Sequence, residues 1–208
     1  MPPPPLRGRV GERGNNCNSV GLVNPTYILH TDKNFSPLTF HFSLTPCYNI
    51  TMKILGIDPG MAIVGYSLVD YDGENYKLLH SGSIQTDKKK SESARLLEIY
   101  EDMNTLVNDL KPDVSAIEKL FFFRNTTTVM PVAHARGVIL TVLEKYRVPI
   151  FEYTPIEVKQ VLTGYGRADK KEVEQMVKLT LGVEKLPKLD DTVDSIAIAI
   201  CHTRRSIV

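Results

Sequence analysis

Between Lys53 and Thr86 the chain carries three apolar β-type runs, at 53–58, 64–70 and 76–86, separated only by turns at Pro59-Gly60 and Asp72-Gly73. Connections this short join antiparallel neighbours, so the three runs form a meander. The rhythm then changes. Leu96, Tyr100, Met103, Val107 and Leu110 recur at helical spacing, and "DVSAIE" at 113–118 reads as a fourth strand. Val132, Ala135, Val138, Ile139, Val142, Leu143 and Tyr146 mark the clearest amphipathic helix, and 148–153 is a fifth strand. Thr154-Pro155-Ile156-Glu157 is a capping box with proline at the first helical position, and Asp169 with Glu172 repeats the spacing. These open two helices that stop near Gly164 and Gly182, and a last helix covers 190–202. A meander feeding alternating helices and strands predicts an α/β fold. Its sheet is mixed and five-stranded, three antiparallel strands followed by parallel ones, with helices on the faces.

Residues 1–51 share none of this regularity. They open with Pro2 to Pro5, hold seven of the thirteen prolines and show no sustained periodicity, so this leader is expected to be disordered or to precede a functional start at Met52. Arg7, Arg9 and Arg13 would suit a transit peptide, but the proline run opposes an amphipathic presequence helix. The folded domain is therefore expected at 52–208. No apolar run approaches the ~18 residues that span a bilayer. Cys17, Cys47 and Cys201 have neither metal-ligand spacing nor an even number, which fits a reducing, cytoplasmic setting. Cys201 is expected in the core. The net charge of +1 gives no global sign of a polyanion partner, so nucleic-acid binding would have to rest on local patches.

Asp58 closes the first strand, between apolar residues and the Pro59-Gly60 turn. A lone acid there is ordinarily a turn former, and its meaning depends on what meets it. Glu118 closes the fourth strand in the same manner, and Asp191 and Asp194 open the last helix, about 60° apart on one face. If the first and fourth strands are neighbours, the four carboxylates converge. Four like charges in one place need protons or cations to neutralise them, and hard oxygen ligands suit Mg²⁺ or Mn²⁺ rather than zinc. Two such ions roughly 3.5–4 Å apart would clamp the attacking and leaving oxygens of a phosphodiester. Simpler readings exist for each acid alone: a strand terminus for Glu118, and macrodipole-favoured helix starters for Asp190, Asp191 and Asp194. Asp190 reads as the N-cap, which leaves Asp191 and Asp194 as the ligand pair.

Five segments in order, "ILGIDPG", "AIEKLFFFRN", "ARG", "IFEYTPIEVKQ" and "DSIAIAI", resemble the RuvC Holliday-junction resolvases, members of the ribonuclease-H-like fold. The resemblance runs from about Met52 to His202. It implies an endonuclease that resolves four-way DNA junctions by Mg²⁺-dependent phosphodiester hydrolysis, and it places the family's acids on Asp58, Glu118, Asp191 and Asp194. It also implies a homodimer that nicks two opposed strands, and a branch-migration motor as partner.

The resemblance further matches Phe121 to an aromatic that stacks on an unpaired base near the crossover, where each stacked base contributes about 1–3 kcal/mol. Of Phe122 and Phe123, at least one is expected in the core. Basic residues cluster nearby: Lys119 and Arg124 flank the aromatic loop, and Arg167 and Lys170 follow "GYG". Lys159, read as facing out of the capped helix, and Lys170 fall where the resemblance places phosphate-contacting lysines, although each could be a solvated charge. His134 is read as a packing or rim residue. Competing readings are a ribonuclease-H-like nuclease acting on RNA or other branched nucleic acid, a junction clamp without chemistry, and a sugar-kinase or actin-like ATPase. The last would need a second glycine-rich nucleotide motif, and none follows residue 51.

Overall fold

The computed structural model describes residues 51–120 and 126–206. The expectations for the leader up to residue 50, and for Phe121, Phe122, Phe123 and Arg124, lie outside the described residues. The elements run β1 (Met52–Asp58), β2 (Ile63–Tyr71), β3 (Tyr76–Gln85), α1 (Glu92–Leu110), β4 (Val114–Glu118), α2 (Thr126–Lys145), β5 (Ile150–Tyr153), α3 (Pro155–Thr163), α4 (Lys170–Leu181) and α5 (Asp190–Ser206). The strands form one sheet in the order β3-β2-β1-β4-β5, with β3, β2 and β1 antiparallel and β1, β4 and β5 parallel. This is the mixed sheet that the sequence pattern predicts. It brings β1 and β4 side by side.

The two faces of the sheet carry separate cores, as strand alternation requires. Leu55, Ile57, Val64, Leu68 and Ile117 pack with Ile99 and Met103 of α1 and Ile139 and Leu143 of α2. Ile54, Val69, Ala116 and Tyr153 face the other way, against α5, with Val158 and Leu162 of α3 and Val173 and Val177 of α4. From Ile196 to Cys201 every residue of α5 is buried, because the helix lies between the sheet and α3–α4. A helix enclosed on all sides loses the polar stripe of a surface helix, which explains the continuous "IAIAIC". Ile196, Ile198 and Ile200 are fully buried, and each contributes about 1.5–3 kcal/mol by leaving water.

Two glycines fix where α5 lies. A Cβ on Gly56 of β1 would collide with the Ser195 carbonyl, and one on Gly65 of β2 would collide with the Asp191 backbone. Glycine inside a strand commonly marks such an approach of another backbone. Polar contacts hold the helix along its length. The Thr192 hydroxyl donates to the Gly82 carbonyl at 3.1 Å, Tyr76 and Thr203 share a hydroxyl contact at 2.8 Å, and Tyr153 meets His202 Nδ1 at 2.8 Å.

Both capping boxes form. Thr154 accepts from the Glu157 N–H while Glu157 accepts from the Thr154 N–H, and Asp169 and Glu172 repeat the exchange. Gly164 and Gly182 end α3 and α4 in left-handed conformation, at φ 79° and 64°. Asp190 departs from expectation. It is the first residue of α5, and Leu189 takes the cap position by accepting the Val193 N–H, so the Asp190 carboxylate is left to pair elsewhere.

Candidate active site

Asp58 and Glu118 each follow the last paired residue of adjacent parallel strands, Ile57 opposite Ile117. Alternation puts both side chains on the α5 face, in phase with Ile54 and Ala116. Asp58 also pairs with Gly65, the glycine beneath Asp191. The first turns of α5 are thus seated beside the strand ends, and Asp191 and Asp194 arrive from above. Three elements bring together the four acids expected to meet.

The acids sense one another. Burial pushes the Asp58 carboxyl from its ordinary 3.8 up to about 8, with the charges of Glu118, Asp194 and Asp191 adding to the rise and Lys170 opposing it. Burial, and then the charge of Asp194, raises Glu118 to about 7. Burial also raises Asp194, against the pull of Lys170 and with the push of Asp191 and Asp190. Asp58 and Glu118 are therefore the carboxyls that hold protons most readily near neutrality unless cations join them. Among the described residues no three His, Cys, Asp or Glu side chains already lie close enough to hold one ion. The four acids are coupled through Asp58, which feels the charge of the other three. The all-oxygen, strongly negative character of the set fits a hard divalent cation.

Cations share the cavity with the acids. A cavity of about 220 Å³ is walled by Glu118, Asp194, Lys159 and Lys170, with Pro155, Val158, Val173 and Ile198 as its apolar lining. Lys170, the first residue of α4, lies 3.0 Å from Asp190 Oδ2 and 3.7 Å from Asp194 Oδ2. Burial works against its charge, but the Asp190 hydrogen bond and the surrounding carboxylates outweigh that and raise its pKa. Lys159 corrects the expectation of an outward-facing residue: it is half-buried and lines the cavity. The packing of neighbouring Val158 into the core turns that side of α3 toward Glu118. Lys119 and Arg167 are exposed, Lys119 with its N–H donating to the Tyr153 carbonyl at 2.8 Å. His134 is exposed on α2, with its Nδ1 2.5 Å from Glu92 of α1.

Arg136, in the "ARG" segment, takes a role that its spacing in the chain does not announce. From α2, behind the sheet, Arg136 Nε donates to the Glu118 carbonyl at 3.4 Å and its guanidinium pairs with Glu152 of β5. It ties the end of β4 to β5 and so fixes the backbone that carries Glu118. The signal for Gly56 and Gly65 was also present, since each interrupts an otherwise apolar strand.

A family described as crossover junction endodeoxyribonuclease RuvC matches residues 54–202. The RuvC of Alkaliphilus metalliredigens is 50% identical over 151 residues, which cover 73% of this chain and 92% of the relative. That of Halothermothrix orenii is 48% identical over 151 residues, again 73% of this chain and 92% of the relative. Among solved structures, T. thermophilus RuvC in complex with Holliday junction substrate superposes with a TM-score of 0.71 at 31% identity, covering 74% of this chain and 94% of that one.

Proposed function

Because this chain belongs to the RuvC family of crossover junction endodeoxyribonucleases, it is an endonuclease that resolves Holliday junctions, and we propose that Asp58, Glu118, Asp191 and Asp194 form its active site. One observation carries the assignment of residues. Two acids end neighbouring parallel strands in register, and a glycine-seated helix sets two more above them. The four carboxylates are the residues that would hold Mg²⁺, with two ions in the site and Mn²⁺ as a substitute. Bound there, the metal supplies charge neutralisation and an activated water for phosphodiester hydrolysis.

The remaining steps belong to the chain's own side chains. Lys159 and Lys170 line the same cavity as Glu118 and Asp194, where they would bind and orient the anionic phosphate. Lys119 and Arg167, both exposed, would extend the cationic border, Arg124 is assigned to DNA binding, and Phe121 is assigned to stacking on an unpaired base at the crossover. A phosphate entering the cleft would thus meet ammonium groups and carboxylates lining one cavity.

We assign the nuclease domain to residues 52–208 and the working form to a homodimer. One cleft cuts one strand, and a twofold pair presents two clefts to the two symmetric strands of a four-way junction. A branch-migration motor that delivers junctions is the further partner, in the cytoplasm. No helix among the described residues is long and apolar enough to cross a membrane. The test is Mg²⁺-dependent cleavage of four-way, three-way and linear duplex DNA side by side. Paired nicks in the four-way junction alone are expected, and equal cutting of all three would overturn junction selectivity.

A further inference from the structure

On the rim beyond Lys159, α3 ends at Gly164 and the chain doubles back through Tyr165, Gly166 and Arg167 before Lys170 returns to the cavity. This turn presents an aromatic ring to solvent. Tyr165 is 57% exposed, and Ile156, on the first turn of α3, is 53% exposed. Single exposed apolar residues are ordinary, but these two share one small ledge. Ile156 packs beneath Gly166, where an added Cβ would sit 3.0 Å from its Cγ2. The backbone of Tyr165 is also fixed. Its N–H donates to the Thr163 hydroxyl at 3.2 Å, and that hydroxyl lies 2.8 Å and 3.0 Å from the carbonyls of Lys159 and Tyr165. The ring therefore projects from a pinned turn rather than from a loose tip.

We propose that Tyr165 and Ile156 form a second nucleotide-binding ledge, on which a base of the strand leaving the cleft stacks. This inference rests on reading the cleft as the DNA site. Lys159 and Lys170 line the cavity at one end of the ledge, and Arg167 flanks it. Cations spaced along a strand path with an aromatic face between them are the general form of a single-strand platform, which tolerates any sequence. The ledge is built from α3 and the turn after it, whereas Phe121 follows β4 in the sequence. The two aromatics would grip the strand at separate points, with Tyr165 acting on binding and not on the chemical step.

The experiment uses the full chain and a four-way junction carrying 2-aminopurine at successive positions beside the cut, with binding measured in EDTA. Tyr165→Ala is expected to weaken binding roughly 5- to 150-fold and to abolish quenching at one position. Tyr165→Phe should keep both, because the ring carries the contact. The salt dependence of binding should be unchanged in Tyr165→Ala, whereas Arg167→Ala should lower its slope by about one phosphate contact. Tyr165→Ala binding within twofold of wild type with full quenching, or Tyr165→Phe failing as badly as alanine, overturns the ledge. A wild-type chain that cuts no four-way junction in Mg²⁺ overturns the reading of the site itself and the ledge with it, while a cutting wild type with an indifferent Tyr165 removes the ledge alone.

Discussion

Gly65 lies directly beneath Asp191, so close that a methyl group on the glycine would collide with the aspartate's backbone. The same glycine pairs across the sheet with Asp58. One contact between a strand and a helix turn therefore sets the spacing of two acids that are 133 positions apart in sequence.

Gly65→Ala tests that geometry. The new methyl has backbone in its way, not the far end of a flexible side chain, so the start of α5 must shift. Overpacking of this kind costs about 1–3 kcal/mol, and a misplacement of about 1 Å at a reacting centre can cost about 100-fold in rate. Thermal unfolding should show modest destabilisation, and cleavage should fall much further than junction binding. A variant that cuts normally would show that α5 need not sit where it does.

Asp58→Asn removes the acid with the most raised pKa in the site while keeping its shape. Cleavage of a four-way junction in Mg²⁺ should drop by roughly 10³-fold, and junction affinity should change only a few-fold. Because the substitution also deletes a charge that three neighbours repel, the metal-free protein should be more stable at pH 8, seen as a higher Tm in EDTA. Wild-type cleavage would remove Asp58 from the active site.

The raised carboxyls fix a pH dependence. Asp58, at about 8, and Glu118, at about 7, hold protons in the folded protein that they would release from the unfolded chain at much lower pH. The folded state then binds more protons, so stability contributed by these groups is present at acid pH and is lost as pH rises through about 4 to 8. Differential scanning calorimetry in EDTA should show Tm falling across that window. Divalent ions should reverse the trend, since metal binding displaces the same protons. A metal-free Tm that rises steadily from pH 5 to pH 8 would contradict the coupling of the acids.

Much of this was legible before the structure, for a physical reason. Capping boxes, strand alternation and the i, i+3 placement of Asp191 and Asp194 are local, and local rules hold wherever the element packs. The order of the strands is not local. Nothing within "DVSAIE" states that it lies beside β1, and the convergence of Asp58 with Glu118 depended on that adjacency. The outward reading of Lys159 failed for the same reason, because the rotation of α3 is set by how Val158 and Leu162 bury against α5. Asp190 was misplaced by a single residue. That shift freed its carboxylate from capping and let it reach Lys170. Arg136 acts from behind the sheet on a backbone carbonyl, a contact that leaves no spacing pattern in the chain.

Arg136→Ala should separate positioning from folding. The guanidinium is largely buried while Glu152 keeps partial access to water, so loss of the pair costs about 1–3 kcal/mol, between the surface and buried limits. The larger effect should fall on kcat, because the Glu118 backbone loses its tether, with KM for the junction nearly unchanged. Arg136→Lys should recover part of kcat. A KM effect with kcat intact would place Arg136 on the DNA side instead.

Asp190 sits outside the set of four yet holds the nearer end of Lys170, at 3.0 Å against 3.7 Å for Asp194. The ammonium is shared between an acid with no assigned metal and one assigned to hold it. Removing the Asp190 charge leaves Lys170 with Asp194 as its nearest partner, where it competes with a divalent cation for the same oxygens. Asp190→Asn should therefore weaken Mg²⁺ binding, by calorimetric titration, even though the residue is not a ligand. Both side chains are substantially exposed, and pairs of that kind are worth about 0–1 kcal/mol, so the shift is at most about fivefold. In a Lys170→Gln background the same substitution should have little effect, because the competitor is gone. If Asp190→Asn weakened metal binding equally with and without Lys170, Asp190 would be acting on the metal directly, and the ligand set would need a fifth acid.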